Sequence, residues 1–109
     1  MEVSRGDLVT VALPGDYGRP RPALIMQADA FRALPSVTLL PLTSELRDLP
    51  QLRIPIRPTS GNGLQQASQI AVDKTATVPR AKVGRRIGRA DAATLRAVDI
   101  ALARFLGLD

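Results

Sequence analysis

The sequence predicts a mainly β domain: a small twisted barrel or curled sheet closed by one C-terminal helix. Short apolar runs of strand length recur between Leu8 and Val78, separated by segments rich in Gly, Pro, Ser and Asp. From Asp91 the apolar period changes to that of a helix. Residues 1–109 read as one domain, long enough to bury a core without disulfide or metal staples.

Arg5-Gly6-Asp7 is a turn, and the alternating, β-branched run Leu8 to Leu13 is strand one. Pro14 to Gly18 is dense in backbone breakers and continues into Arg19 to Arg21, a long loop of the kind that carries function. Ala23 to Gln27 is strand two. Asp29 to Leu34 is a short helical turn with Phe31 tucked inward. Val37 to Leu42 is strand three and runs into Thr43 and Ser44, followed by a charged connection from Glu45 to Gln51. Arg53 to Arg57 alternates, but Pro55 has no N–H to give a ladder, so this is an edge strand. Thr59 to Gly63 is a turn. Gln69 to Val72 is a further strand, which Thr75 to Val78 extends or follows. In the terminal helix Leu95, Val98, Leu102, Phe105 and Leu106 share the core-facing stripe, with Asp91 as N-cap and Gly107 as the C′ residue.

Composition removes whole classes of chemistry. The chain has no cysteine and no histidine, so neither a thiolate metal site nor the usual neutral-pH acid/base is available. Any chemistry falls to Arg, Lys, carboxylates, hydroxyls or backbone groups. No apolar run approaches the length of a membrane span, and the N-terminus lacks the apolar core of a signal peptide; a cytoplasmic protein is expected. Residues 1–50 carry a net charge of −1 and residues 51–109 one of +6. Arg80, Lys82, Arg85, Arg86 and Arg89 crowd one ten-residue stretch, a cluster that attracts nucleic acid or an acidic protein. The three aromatics, Tyr17, Phe31 and Phe105, are too few for a broad base-stacking platform.

The stretch Gly18 to Asp29 organises the candidate site. Arg19 and Arg21 each precede a proline, which drives them into extended geometry and stiffens the backbone from which both guanidinium groups leave. If strands two and three are antiparallel neighbours, Arg21 at the start of one lies beside Thr43 and Ser44 at the end of the other. A guanidinium fork and two hydroxyls on one rim make an anion site. The alternatives are a solvated basic loop, and a turn in which the two hydroxyls bond local backbone.

These residues resemble the MazF/PemK family of toxin ribonucleases. The match comprises Arg5-Gly6-Asp7, Arg21-Pro22-Ala23-Leu24-Ile25-Met26-Gln27, Pro41-Leu42-Thr43-Ser44, Gly63-Leu64 followed by Ser68, and Val83-Gly84-Arg85-Arg86-Ile87-Gly88-Arg89. It covers nearly the whole chain in order. The resemblance implies an SH3-like barrel of the CcdB/MazF type with a C-terminal helix, a homodimer, cleavage of single-stranded RNA without a metal or other cofactor, and silencing by a cognate acidic antitoxin. It assigns catalysis to Arg21 and Thr43. Arg19, Ser44 and Lys74 are the expected RNA contacts. Asp16 and Asp73 are base candidates, each equally readable as a plain loop acid. Many members carry an arginine after the penultimate strand where this chain has Ala76, so either Lys74 replaces that cation or the enzyme is weakened. Two other readings stay open: a gyrase-poison-like protein of the same fold, and a binding module that has lost catalysis and takes an acidic antitoxin tail.

Overall fold

The computed structural model describes residues 2–15 and 19–109. Seven strands and one helix follow in order: β1 (Asp7–Ala12), β2 (Pro20–Ile25), β3 (Ser36–Thr43), β4 (Arg53–Ile56), β5 (Ser68–Ala71), β6 (Ala76–Pro79), β7 (Val83–Arg89) and α1 (Ala92–Leu106). The strands pair antiparallel in the order β4-β5-β3-β2-β1-β7, with β6 also on β3. Among the described residues no pairing joins β4 to β7. The sheet is therefore curled and open, and the expected barrel does not close.

The curl buries both sheet faces. Leu8, Leu24, Leu40, Leu42 and Ile70 pack with Val98 and Ala101 of α1. The alternate residues Val9, Val11, Ala23, Ile25, Val37 and Leu39 form a second core with Val78. This explains the unbroken apolar run at the end of β2: a strand covered on both faces has no polar side to show. Each large side chain so buried contributes roughly 1.5–3 kcal/mol.

Several expectations are met. β4 is a terminal strand with Pro55 on its open edge. Asp91 caps α1 by accepting a hydrogen bond from the Thr94 N–H, and Gly107 ends the helix at φ 72°. Segment 76–79 follows β5 and does not extend it. It pairs with Ser36–Leu39, whereas β5 pairs with Leu42 and Thr43. Between them Val72–Lys74 forms a 3-10 turn.

Other expectations are corrected. Phe31 lies in a 3-10 turn (Asp29–Phe31) but is 57% exposed, because that turn sits at the surface and offers no core to enter. The helical stripe reaches the core through Val98 and Ala101, with Leu95 and Leu102 partly packed. Phe105 and Leu106 project past the sheet and are exposed. β2 begins at Pro20, earlier than expected, and the basic segment 83–89 is a full strand that composition concealed.

Candidate active site

The site opens where the β2–β3 ladder stops. Paired residues run from Ile25↔Leu39 through Leu24↔Leu40 to Ala23↔Pro41. Beyond that point Pro22 and Pro41 have no N–H, so the ladder cannot continue. Continuing the same register sets Arg21 opposite Thr43 across the opening. β1 holds the other edge of this part of β2 through Val11↔Arg21 and Ala12↔Pro20.

Arg21, Leu42, Thr43 and Ser44 form a ridge shared by two clefts. The first, of about 300 Å³, is completed on its far side by Thr10, the loop Gly63–Gln66, Ser68 and Arg85. The second, of about 730 Å³, runs toward Leu13, Glu45, Lys74 and Ala76. Arg21, Thr43, Ser44 and Lys74 therefore come together, and Ala76 lines the same cleft as Lys74. Arg19 is exposed and lines neither cleft. Lys74 ends a 3-10 turn, so it reaches the cleft from a turn and not by strand alternation with Ala76.

Thr43 does make the local bond a turn hydroxyl makes: its Oγ1 accepts from the Glu45 N–H at 3.0 Å. A hydroxyl that accepts still has its own proton to donate, so this bond orients Thr43 without exhausting it. Glu45, beside it in the second cleft, pairs with Arg47 at 2.9 Å. Of the base candidates, Asp73 is committed to a salt bridge with the buried Arg53 and lines neither cleft. Asp16 lies outside the described residues. Among the described residues no three His, Cys, Asp or Glu side chains group to hold a metal.

The basic cluster divides by use. Arg80 donates to the Leu34 and Ser36 carbonyls. Arg86 and Arg89 both pair with the buried Asp7, at 3.2 and 2.6 Å, tying β7 to the first turn. Arg85 faces the first cleft. The density of charge was visible in the sequence; which member serves the site depends on the pairing of β7 with β1.

Residues 4–106 match the family described as PemK-like, MazF-like toxin of type II toxin-antitoxin system. The chain belongs to the PemK/MazF toxin family. It is 46% identical over 105 residues to a probable endoribonuclease MazF of Mycolicibacterium smegmatis, covering 95% of this chain and 96% of that one. Among solved structures it is similar to the Mycobacterium tuberculosis toxin MazF-mt6, with a TM-score of 0.82 at 31% identity over 94% of this chain and 98% of that one. It also resembles a mycobacterial endoribonuclease solved in complex with its cognate antitoxin, with a TM-score of 0.79 at 26% identity over 99% and 96% of the two chains. As a member of the PemK/MazF family, the chain has the family's mainly antiparallel sheet and single terminal helix.

Gln65, Gln66, Glu45 and Arg85 are site-lining residues that sequence reasoning missed as such. Only Arg85 carried a signal, through its place in the basic cluster.

Proposed function

We propose that this PemK/MazF toxin is a metal-independent endoribonuclease that cuts single-stranded RNA at short sequences, inhibiting translation and growth, and is silenced by an acidic antitoxin. The observation that carries the reading is the ridge itself: a guanidinium and two hydroxyls share one rim between two open clefts. The relatives named as endoribonucleases support it.

The reaction suits a chain without histidine or cysteine, because RNA brings its own nucleophile. The 2′-oxygen attacks the adjacent phosphorus and loses its proton. The bond from phosphorus to the 5′-oxygen breaks, and that oxygen gains a proton. The products are a 2′,3′-cyclic phosphate and a 5′-hydroxyl. Charge builds on the non-bridging oxygens, where the Arg21 fork and the Thr43 hydroxyl donate hydrogen bonds from fixed positions. Lys74 and Ser44 hold the strand on either side, and Arg19 adds charge at the approach.

A homodimer is proposed from family membership. Ile100 and Phe105 leave an apolar groove beside β4 that a monomer exposes to water. The +6 balance of residues 51–109 supports an acidic antitoxin that competes with RNA.

The deciding experiment is cleavage of single-stranded RNA by the purified protein in excess EDTA, with end analysis of the fragments. Cyclic phosphate and 5′-hydroxyl ends are expected. Activity that EDTA abolishes and magnesium restores, or cleavage at a position whose 2′-hydroxyl is replaced by hydrogen, refutes the mechanism. A protein that binds the acidic partner and never cleaves RNA would instead be the binding module, a reading that Ala76 in the second cleft favours.

A further inference from the structure

We infer that Arg85, Gln65 and Gln66 form a base-reading subsite. The first cleft takes one unstacked RNA base by its edge and fixes which nucleotide is tolerated at a single position flanking the cut. This rests on the reading of the ridge as an RNA-cleaving centre.

The backbone under Arg85 is shaped to aim it. Val9 pairs with Arg86 and Val11 with Val83, so Gly84 and Arg85 together oppose the single residue Thr10. Two residues against one is a β-bulge, a device that redirects a side chain and is frequent beside active sites. The bulge is pinned at both of its residues. The Arg85 N–H donates to Thr10 Oγ1 at 3.1 Å, and Gly84 sits so close to that hydroxyl that a Cβ would collide with it. Arg85 thus spends its backbone donor on β1. Among the described residues its guanidinium has no hydrogen-bond or ion-pair partner, unlike Arg80, Arg86 and Arg89.

The opposite wall is equally fixed. Asn62 is buried; its Oδ1 accepts from the Thr59 and Leu64 N–H groups and its Nδ2 donates to the Arg57 carbonyl. Gly63 has φ 69° and lies directly against the Ile87 carbonyl, with no room for a Cβ. Ser68 donates to the Gln66 carbonyl at 3.0 Å. The loop backbone is held by these bonds, while the amides of Gln65 and Gln66 have no bonded partner among the described residues.

Fixed backbones with uncommitted planar polar ends are what edge recognition needs. A glutamine amide presents a donor and an acceptor side by side, and a guanidinium presents a rigid fork of donors. Bases of single-stranded RNA expose both of their hydrogen-bonding edges. Among the described residues the first cleft is lined by no aromatic side chain, so what they offer a base is polar contact at its edge. Among the described residues the second cleft offers Lys74, a point charge suited to phosphate, and no planar amide or guanidinium besides Arg21. Base discrimination therefore falls on one side of the ridge.

The test uses the full chain and a randomised single-stranded RNA library made uncleavable by 2′-fluoro substitution, with bound sequences read out for wild type, Arg85→Ala, Arg85→Lys and Gln65→Ala/Gln66→Ala. Wild type should enrich a base at one position. Arg85→Ala and the double variant should reduce that discrimination by about tenfold or more and leave the other positions unchanged. Arg85→Lys keeps the charge and should lose the preference with an unaltered salt slope, which also controls for folding. Variants that retain the wild-type preference while binding falls uniformly would make Arg85 a phosphate contact and overturn the subsite. So would wild-type binding without base preference. Base-selective binding by a protein that cleaves no RNA sinks the nuclease reading and supports the subsite; cleavage without preference at any flanking position does the reverse.

Discussion

Replacing Arg21 by alanine tests the site at its centre. Arg21 lies on the exposed first half of β2, ahead of the buried residues Ala23 to Ile25, and contributes no side chain to either core. Truncation should therefore leave both apolar cores intact, with a stability change of no more than about 1 kcal/mol, the range for an exposed polar interaction. Catalysis should respond differently. The guanidinium borders both clefts, and in the proposed reaction charge develops on the phosphate beside it; losing one preorganised donor of that kind costs about 3 kcal/mol, or on the order of 10²–10³ in rate. Single-turnover cleavage of a fluorescent RNA at saturating enzyme isolates that step, and thermal melting reports the fold. Arg21→Lys should recover little, since one ammonium cannot copy a planar fork. Thr43→Ala should cost less than Arg21→Ala, because it removes a single neutral donor. An Arg21→Ala protein that melts like wild type and cleaves at its rate would refute the assignment of the ridge.

Lys74→Ala should lower cleavage sharply with little change in melting, and Ala76→Arg in that background should recover part of the loss, since both residues line the second cleft. If Lys74→Ala is silent and Ala76→Arg alone raises the rate, the toxin is weakened by an unfilled position. Arg53→Ala strands Asp73 without its buried partner and should destabilise the fold by about 3 kcal/mol or more in chemical denaturation, whereas a well-packed Arg53→Met should lose less. The Thr94 backbone N–H, with help from the Thr94 hydroxyl, holds the Asp91 carboxyl below its ordinary 3.8. Its contribution to stability is thus complete above pH 3.8 and lost as pH falls through the lower folded value; Asp91→Asn should remove that acid-side dependence in pH-resolved melting. RNA binding should weaken steeply between low and physiological salt, and an acidic antitoxin peptide should displace RNA; RNA and peptide bound together without competition would refute a shared surface.

Much of the fold was legible because its signals are local. The prolines at 20, 22, 41 and 55 mark where ladders end or edges lie, and Asp91 and Gly107 mark both ends of the helix. The meeting of Arg21 with Thr43 and Ser44 was legible for a related reason: two consecutive strands joined by a short segment pair antiparallel, which brings the start of one to the end of the other. What failed depended on distance along the chain. Phe105 and Leu106 obey the helical period as well as Val98 does, but period alone does not say where the sheet beneath the helix ends.

β7 was hidden for a deeper reason. Strand patterns are read from apolar alternation, and Val83 to Arg89 alternates poorly because its work is polar and steric. Arg86 and Arg89 neutralise the buried Asp7, and Gly88 meets the backbone of Gly61 and Asn62 where no side chain fits. The bulge at Gly84 and Arg85 exists only relative to Thr10, some 75 residues earlier in the chain. A run of arginines and glycines looks like a solvated basic tail until its partners are known. With the partners in hand, each glycine of β7 marks a close approach, and among the described residues each of its arginines but one has an internal acceptor. The remaining one, Arg85, faces the same cleft as Arg21, which is why charge density alone could suggest a polyanion partner but could not say which cation meets it.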